Sequence, residues 1–218
     1  MILVSGSTPS DTTDAAVAAY FERKWGMTRP RLMVDGNSLS SGGTSLPVAD
    51  VWPTILAPEI ADWDVVNWAV QGQNITSMAS DAAMEFGRQP IPTRAKNVLV
   101  AWEGPNQISS GASANGTAAA AAMKSYCQAR QAEGYYVICA TMLPANVVSE
   151  ANYNAFNTAL RDTPASYCNA LVDLAANATI GVWGSQTNLT YYNADALHLT
   201  AAGQLIVKDL FKAAVLAS

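Results

Sequence analysis

The chain has 218 residues, half of them hydrophobic, with 13% charged residues and a formal net charge of −5. That length accommodates one α/β domain with a sizeable core. An acidic balance with no Lys/Arg cluster argues against nucleic acid or an anionic membrane as partner, and no apolar run approaches the length of a membrane span.

In chain order, the start Met1 to Ser7 lacks a basic head and is not a secretory signal. A mature secreted chain would look the same, so both compartments stay open. Asp11 to Trp25 is expected as an amphipathic helix ending at Gly26. Residues 1–28 form a helical extension, either packed on the domain's flank or left over from an upstream domain; residues 29–218 form the domain proper. Five Val/Ile-rich runs are predicted strands: Arg31–Asp35, Asp64–Ala69, Asn97–Trp102, Tyr135–Thr141 and Ala170–Leu174. Between and after them fall predicted helices over Pro47–Ile60, Ile75–Arg88, Ser113–Glu133, Ser149–Arg161 and Thr200–Leu216. Asn74, Ser149 and Thr200 are candidate caps. Ile108–Gly116 reads as a loop on the active-site side. Strand–helix alternation with near-continuous apolar strands predicts a parallel sheet covered on both faces.

His198 is the only histidine, so any imidazole chemistry falls to it. Asp195 precedes it by about one helical turn. From there a carboxylate can reach Nδ1, fix the tautomer and leave Nε2 free to accept a hydroxyl proton. Cys127, Cys139 and Cys168 contain no Cys-x-x-Cys and, with one His, supply no zinc-ligand set; they read as buried small hydrophobes.

In an open parallel sheet, reacting groups belong at the carboxyl ends of the strands. Those ends carry Asp35-Gly36-Asn37-Ser38, then Gln71-Gly72-Gln73-Asn74, then Glu103-Gly104-Pro105-Asn106-Gln107, and finally Asp195 to His198. Ser38 is the candidate nucleophile. The Ser38 and Gly72 backbone amides and the Asn106 side chain are candidate oxyanion donors, His198 the base and Asp195 its orienting group. Each signal alone is more often turn chemistry. Their order along the strand ends is what gives them weight.

These residues resemble the SGNH hydrolases, also called GDSL-type esterases and lipases. The resemblance spans about residues 30 to 218. The four hallmark positions map to Ser38, Gly72, Asn106 and His198, and the Asp-x-x-His block is intact. Asn37 stands where the family usually has Asp before the serine, and Gln107 where it has Asp after the asparagine. The resemblance implies a three-layer α/β/α sandwich, flavodoxin-like, with a five-stranded parallel sheet. It also implies serine-based acyl transfer with no metal and no organic cofactor. Gly-x-Ser-x-Gly is absent around Ser38, which disfavours the common α/β-hydrolase reading.

Trp102, Trp183, Tyr191 and Tyr192 are candidate pocket aromatics, able to stack on sugars or to wall an apolar pocket. The loops are small and polar, and no insertion resembles a lipase lid. The expected activity is therefore hydrolysis of short-acyl esters. The alternatives are a carbohydrate O-acetylesterase module acting on acetylated glycan, and a binding domain that keeps only the fold. Oligomeric state is not legible in this chain.

Overall fold

The structure is a computed structural model that describes residues 20, 29–43, 46–84, 90 and 94–218. Apart from Tyr20, the expected Asp11–Trp25 helix and the extension over residues 1–28 lie outside the described residues.

Five strands, β1 (Arg31–Gly36), β2 (Asp64–Asn67), β3 (Asn97–Trp102), β4 (Tyr136–Ala140) and β5 (Ala170–Val172), form one sheet in the order β2-β1-β3-β4-β5. Every neighbouring pair is parallel. From residue 29 onward, the α-helices among the described residues are α1 (Ser38–Ser41), α2 (Trp52–Leu56), α3 (Ile75–Met84), α4 (Pro105–Ser109), α5 (Gly116–Ala132), α6 (Glu150–Arg161) and α7 (Ala201–Leu216).

Successive side chains of a strand point to opposite faces, and both faces here are apolar. Met33, Leu99, Ala101, Val137 and Cys139 face one way. They pack on Ile75 and Met78 of α3, Ala119, Ala120 and Met123 of α5, and Phe156 and Leu160 of α6. Leu32, Val34, Val98, Val100, Trp102 and Ile138 face the other way, onto Trp52 and Leu56 of α2 and Val207, Phe211 and Val215 of α7. Trp52 stacks on Phe211 at 4.4 Å between ring centroids. The result is a three-layer α/β/α sandwich with flavodoxin-like strand order. Cys127, Cys139 and Cys168 are free and buried.

The elements differ from the expected ones where a local group intervenes. The helix expected over Pro47–Ile60 is broken into a 3₁₀ turn at Val48–Asp50, α2, and a second 3₁₀ turn at Ala57–Ile60. Pro53 suits the start of α2, but Pro58 offers no N–H to continue it. α5 starts at Gly116 rather than Ser113, because the Asn115 side chain accepts the Ala118 N–H at 2.9 Å and caps the helix there. Ser149 and Thr200 lie just outside α6 and α7 as their side-chain caps, and Asn74 accepts the Ser77 N–H at 2.9 Å. Regular strand geometry ends at Asn67, yet the Trp68 and Val70 N–H groups still bond to the Val34 and Gly36 carbonyls at 2.8 and 3.1 Å. The chain thus follows β1 into the turn that contains Gly72. Among the described residues, no helix is long and apolar enough to cross a membrane.

Candidate active site

The strand order reverses between β1 and β3, since β2 lies on one side of β1 and β3 on the other. A crevice opens at such a switch point, outside the carboxyl ends of the strands. Ser38 follows β1 and Asn106 follows β3, so both lie at that end of the sheet. Gly36 allows the two strand ends to close on one another: a Cβ there would sit 2.5 Å from the Trp102 carbonyl oxygen.

Ser38 Oγ lies 2.8 Å from His198 Nε2, and His198 Nδ1 lies 2.6 Å from Asp195 Oδ2. The expectation of a helical turn between Asp195 and His198 is corrected by the geometry. The segment is a tight loop held at its base by an antiparallel bridge between Tyr192 and Leu199. Asp195 Oδ1 accepts the Leu197 and His198 N–H groups at 3.1 and 3.0 Å. This Asx turn, rather than helix periodicity, sets the carboxylate under the ring. Ala196 takes up the strain with φ of 53°, a region that costs a non-glycine residue about 1–2 kcal/mol. Its carbonyl is held by the Asn146 N–H at 3.0 Å. Burial pushes the Asp195 carboxyl up, but the His198 ring and the His198 and Leu197 N–H groups outweigh it, leaving the carboxyl below its usual range. An ionised Asp195 can only accept, so Nδ1 carries the imidazole proton and Nε2 presents its lone pair to the serine hydroxyl.

Ser38 begins α1, where backbone N–H groups have no partner within the helix. Gly72 occupies the third position of a turn closed by the Gln73 N–H on the Val70 carbonyl at 3.1 Å. Its φ of 76° is one that side chains resist, which explains a glycine there. Asn106 Nδ2 donates to the Gln73 carbonyl at 3.0 Å, tying the third loop to the second. An amide nitrogen has two hydrogens, so one remains for a ligand.

The departures at Asn37 and Gln107 are both hydrogen-bonded. Asn37 Oδ1 accepts the Leu39 N–H at 2.9 Å, and its Nδ2 donates to Glu103 Oε1 at 3.0 Å. Gln107 Oε1 accepts the Thr76 N–H at 3.1 Å while its Nε2 donates to Ser113 Oγ at 2.9 Å. Glu103 is not among the expected site residues. It is wholly buried just after β3. Burial pushes its carboxyl up to about 7, against the pull of N–H donors from Asn106, Asn37, Gln107 and Gly104. The available signal is an acidic residue directly after an apolar strand, in a chain with few charges. Among the described residues, no cluster of three or more His, Cys, Asp or Glu side chains is placed to hold a metal ion.

No family model matches the sequence, and no curated protein does. Solved structures do match. TesA superposes with a TM-score of 0.66 at 21% identity, over 84% of this chain and 96% of that one. A member of the lipolytic G-D-S-L family from Veillonella parvula gives 0.64 at 14% identity, over 84% and 96%. The acetyl xylan esterase AlAXEase gives 0.61 at 16% identity, over 85% and 99%. The chain has the SGNH hydrolase fold.

Two of the four candidate aromatics do not line a site on this SGNH scaffold. Trp102 is fully buried in the core facing α7, with its ring 5.7 Å from Phe211. Tyr192 is also fully buried, and its hydroxyl donates to the Ile180 carbonyl at 2.5 Å. Trp183 is half-buried with its ring 5.4 Å from Tyr153, and Tyr191 is half-buried against the core on the α7 side. Ser38, Gly72, Asn106 and His198 all keep some exposed surface. A cavity of about 370 Å³ lies between α3 and α5, lined in part by Ile75, Ala79, Tyr126 and Arg130. Neither Ser38 nor His198 lines it.

Proposed function

We propose that the chain is a serine esterase that hydrolyses short-acyl carboxylic esters through an acyl-enzyme on Ser38, with residues 29–218 as the catalytic unit. One observation carries the reading: a single histidine accepts from Ser38 at 2.8 Å and is oriented by Asp195 at 2.6 Å, at the carboxyl ends of a parallel sheet.

Ser38 Oγ attacks the ester carbonyl carbon while its proton passes to His198 Nε2. The carbonyl oxygen becomes an oxyanion, received by the Ser38 and Gly72 N–H groups and the free hydrogen of Asn106 Nδ2. The tetrahedral intermediate collapses, and the proton on Nε2 passes to the departing alcohol oxygen. A water then attacks the acyl-enzyme, gives its proton to Nε2, and the carboxylic acid leaves as the proton returns to Ser38. Asp195 remains ionised and stabilises the imidazolium at each stage.

Two features favour short acyl groups. Only Glu103 and Gly104 separate β3 from α4, and Gly72 lies at the surface. Neither of these loops therefore builds a deep wall over Ser38. A bound chain gains about 0.8 kcal/mol per methylene only while there is apolar wall to bury it against. Acetyl and butyryl p-nitrophenyl esters are expected to be cleaved much faster than the octanoyl ester. The measurement is kcat/KM below each solubility limit; a value that climbs steadily to octanoate would overturn the short-acyl reading. A fluorophosphonate should label Ser38 stoichiometrically, and failure to label would leave only a binding domain on this fold. The second reading, a carbohydrate O-acetylesterase, is favoured by the likeness to an acetyl xylan esterase. Acetylated xylan in the same ester panel separates the two.

Asn106→Ala should lower kcat by about 10²–10³ with a smaller effect on KM, the scale for losing one oxyanion donor. The upper end is expected, because Asn106 also holds the Gln73 carbonyl next to Gly72. A change confined to KM would make Asn106 a substrate-binding residue instead.

A further inference from the structure

We infer that Glu103 is a positioning residue whose carboxylate holds the nucleophile turn and the oxyanion-hole loop in register with each other. The inference rests on the esterase reading for its effect on rate, but not for the bridge itself.

The geometry is specific. Glu103 Oε1 accepts from Asn37 Nδ2 at 3.0 Å and from the Asn106 N–H at 2.7 Å, and Oε2 accepts the Gln107 N–H at 3.3 Å. Asn37 immediately precedes Ser38, and its other side-chain atom holds the Leu39 N–H immediately after it. Asn106 carries the side-chain oxyanion donor. One buried carboxylate thus touches the residue before the nucleophile and the backbone of the oxyanion donor. It also satisfies N–H groups in the first turn of α4, which have no partner within that helix.

The groups facing Glu103 from the nucleophile turn and from α4 are neutral amides. A fully buried acid without a cation is costly, and an apolar residue would fill the space at lower cost. What an apolar residue cannot do is accept from both loops at once. The same contact explains Asn37. The aspartate usual in the SGNH resemblance would set a second carboxylate 3.0 Å from the first, with no donor between them. This chain carries its acid after β3 and the amide before the serine.

Every one of these partners is a donor, so the geometry fits the ionised carboxyl. Burial nevertheless pushes the group up to about 7, well above the 4.5 of a free glutamate. A carboxyl raised in the folded state contributes most stability below its unfolded pKa, and that contribution is lost as pH rises through the folded value. Rate and stability therefore respond to pH in opposite directions: the ionised form that aligns the loops is the form that burial penalises.

The test uses Glu103→Gln, Asn37→Asp and the double variant. Glu103→Gln should lower kcat by about 10²-fold, the scale for a small misplacement at a reacting centre, with KM within about threefold. Asn37→Asp, although it recreates the Gly-Asp-Ser block, should also lose activity. The double variant removes the clash of two carboxylates and returns a donor to face position 37, although that same nitrogen then meets the Asn106 N–H, so it should recover only a few fold over the worse single variant. Thermal midpoints from pH 5 to 8 read the bridge without substrate. Relative to wild type, Glu103→Gln should gain stability as pH rises, and Asn37→Asp should lose it. A kcat for Glu103→Gln within about threefold of wild type overturns the inference, as do losses that simply multiply in the double variant. If wild type hydrolyses no ester, the esterase reading falls, and the midpoint shifts still decide whether the carboxylate bridges the loops.

Discussion

Ser38→Ala is expected to abolish ester hydrolysis while leaving the fold intact. Removing the nucleophile from a serine relay costs up to about 10⁶ in kcat, because no other group can form the acyl-enzyme. What survives is the acceleration that oxyanion donors lend to attack by water, about 10³–10⁴ over the uncatalysed rate. The structural cost is small. The Ser38 hydroxyl bonds to His198 Nε2, and the side chain is only part-buried, so water can take its place. One hydrogen bond is worth about 1 kcal/mol net, which moves the midpoint of a domain this size by about 2–4 °C. The check is kcat/KM for p-nitrophenyl acetate beside a thermal melt. Activity within a few fold of wild type would remove Ser38 from the chemistry. A melt lowered by ten degrees or more would make the loss a folding effect.

The sheet is legible in the sequence because both faces of it are apolar. Arg31–Asp35 and Asn97–Trp102 stand out as runs of Leu, Met and Val, and they form β1 and β3 nearly as expected. The run Pro47–Ile60 is harder. Its apolar pattern suits one helix, but Pro53 and Pro58 divide it, and propensity summed over a window hides the missing N–H groups. Trp102 lies away from its expected place although the signal for its position is present. Val98, Val100 and Trp102 share one face of β3, so an alternation that buries the first two also buries the third. Proximity in sequence to the third loop says nothing about which side of the sheet the ring occupies.

The candidate site shows the same division between local and long-range signals. Asp195 and His198 lie close in sequence, and their side chains meet, but through an Asx turn and a strained Ala196 that no periodicity argument reaches. Ser38 and His198 are separated by 160 positions and meet only through the tertiary fold, which brings the loop before α7 onto the turn that follows β1. Glu103 is only weakly signalled, for a different reason. An acid after a strand is normally solvated, and only the packing of the nucleophile turn, β3 and α4 together closes water out.

Asp195→Asn is expected to lower kcat by about 10³–10⁴, the scale for exchanging the orienting carboxylate of such a relay. The cause is the tautomer rather than the position of the ring. The amide oxygen of the Asp195→Asn variant can still accept the Leu197 and His198 N–H groups, as Asp195 Oδ1 does, so the loop keeps its shape. The amide nitrogen then replaces Oδ2 opposite Nδ1. Two donors cannot face each other at the 2.6 Å now spanned, so the imidazole proton moves to Nε2. Nε2 becomes a donor to Ser38 and is no longer a base. Flipping the amide restores an acceptor for Nδ1 but turns its hydrogens on two backbone N–H groups, at a cost of about 1–3 kcal/mol. Asp195 is 46% exposed at its side chain, so water can partly serve Nδ1, which favours the lower end of the range. Because the wild-type carboxyl lies below its usual range, it is ionised throughout the range in which activity is measured. Raising the pH should therefore leave the deficit of the variant in place, since it stems from which nitrogen holds the proton. Measured kcat from pH 6 to 9 decides this: a deficit that closes at alkaline pH would mean that Asp195 only tunes protonation of the ring. In Asp195→Ala the exposed side of the site admits a small anion, and formate should restore part of kcat in a saturable way by accepting from Nδ1. Absence of rescue together with a lowered thermal midpoint would assign Asp195 to holding the loop alone.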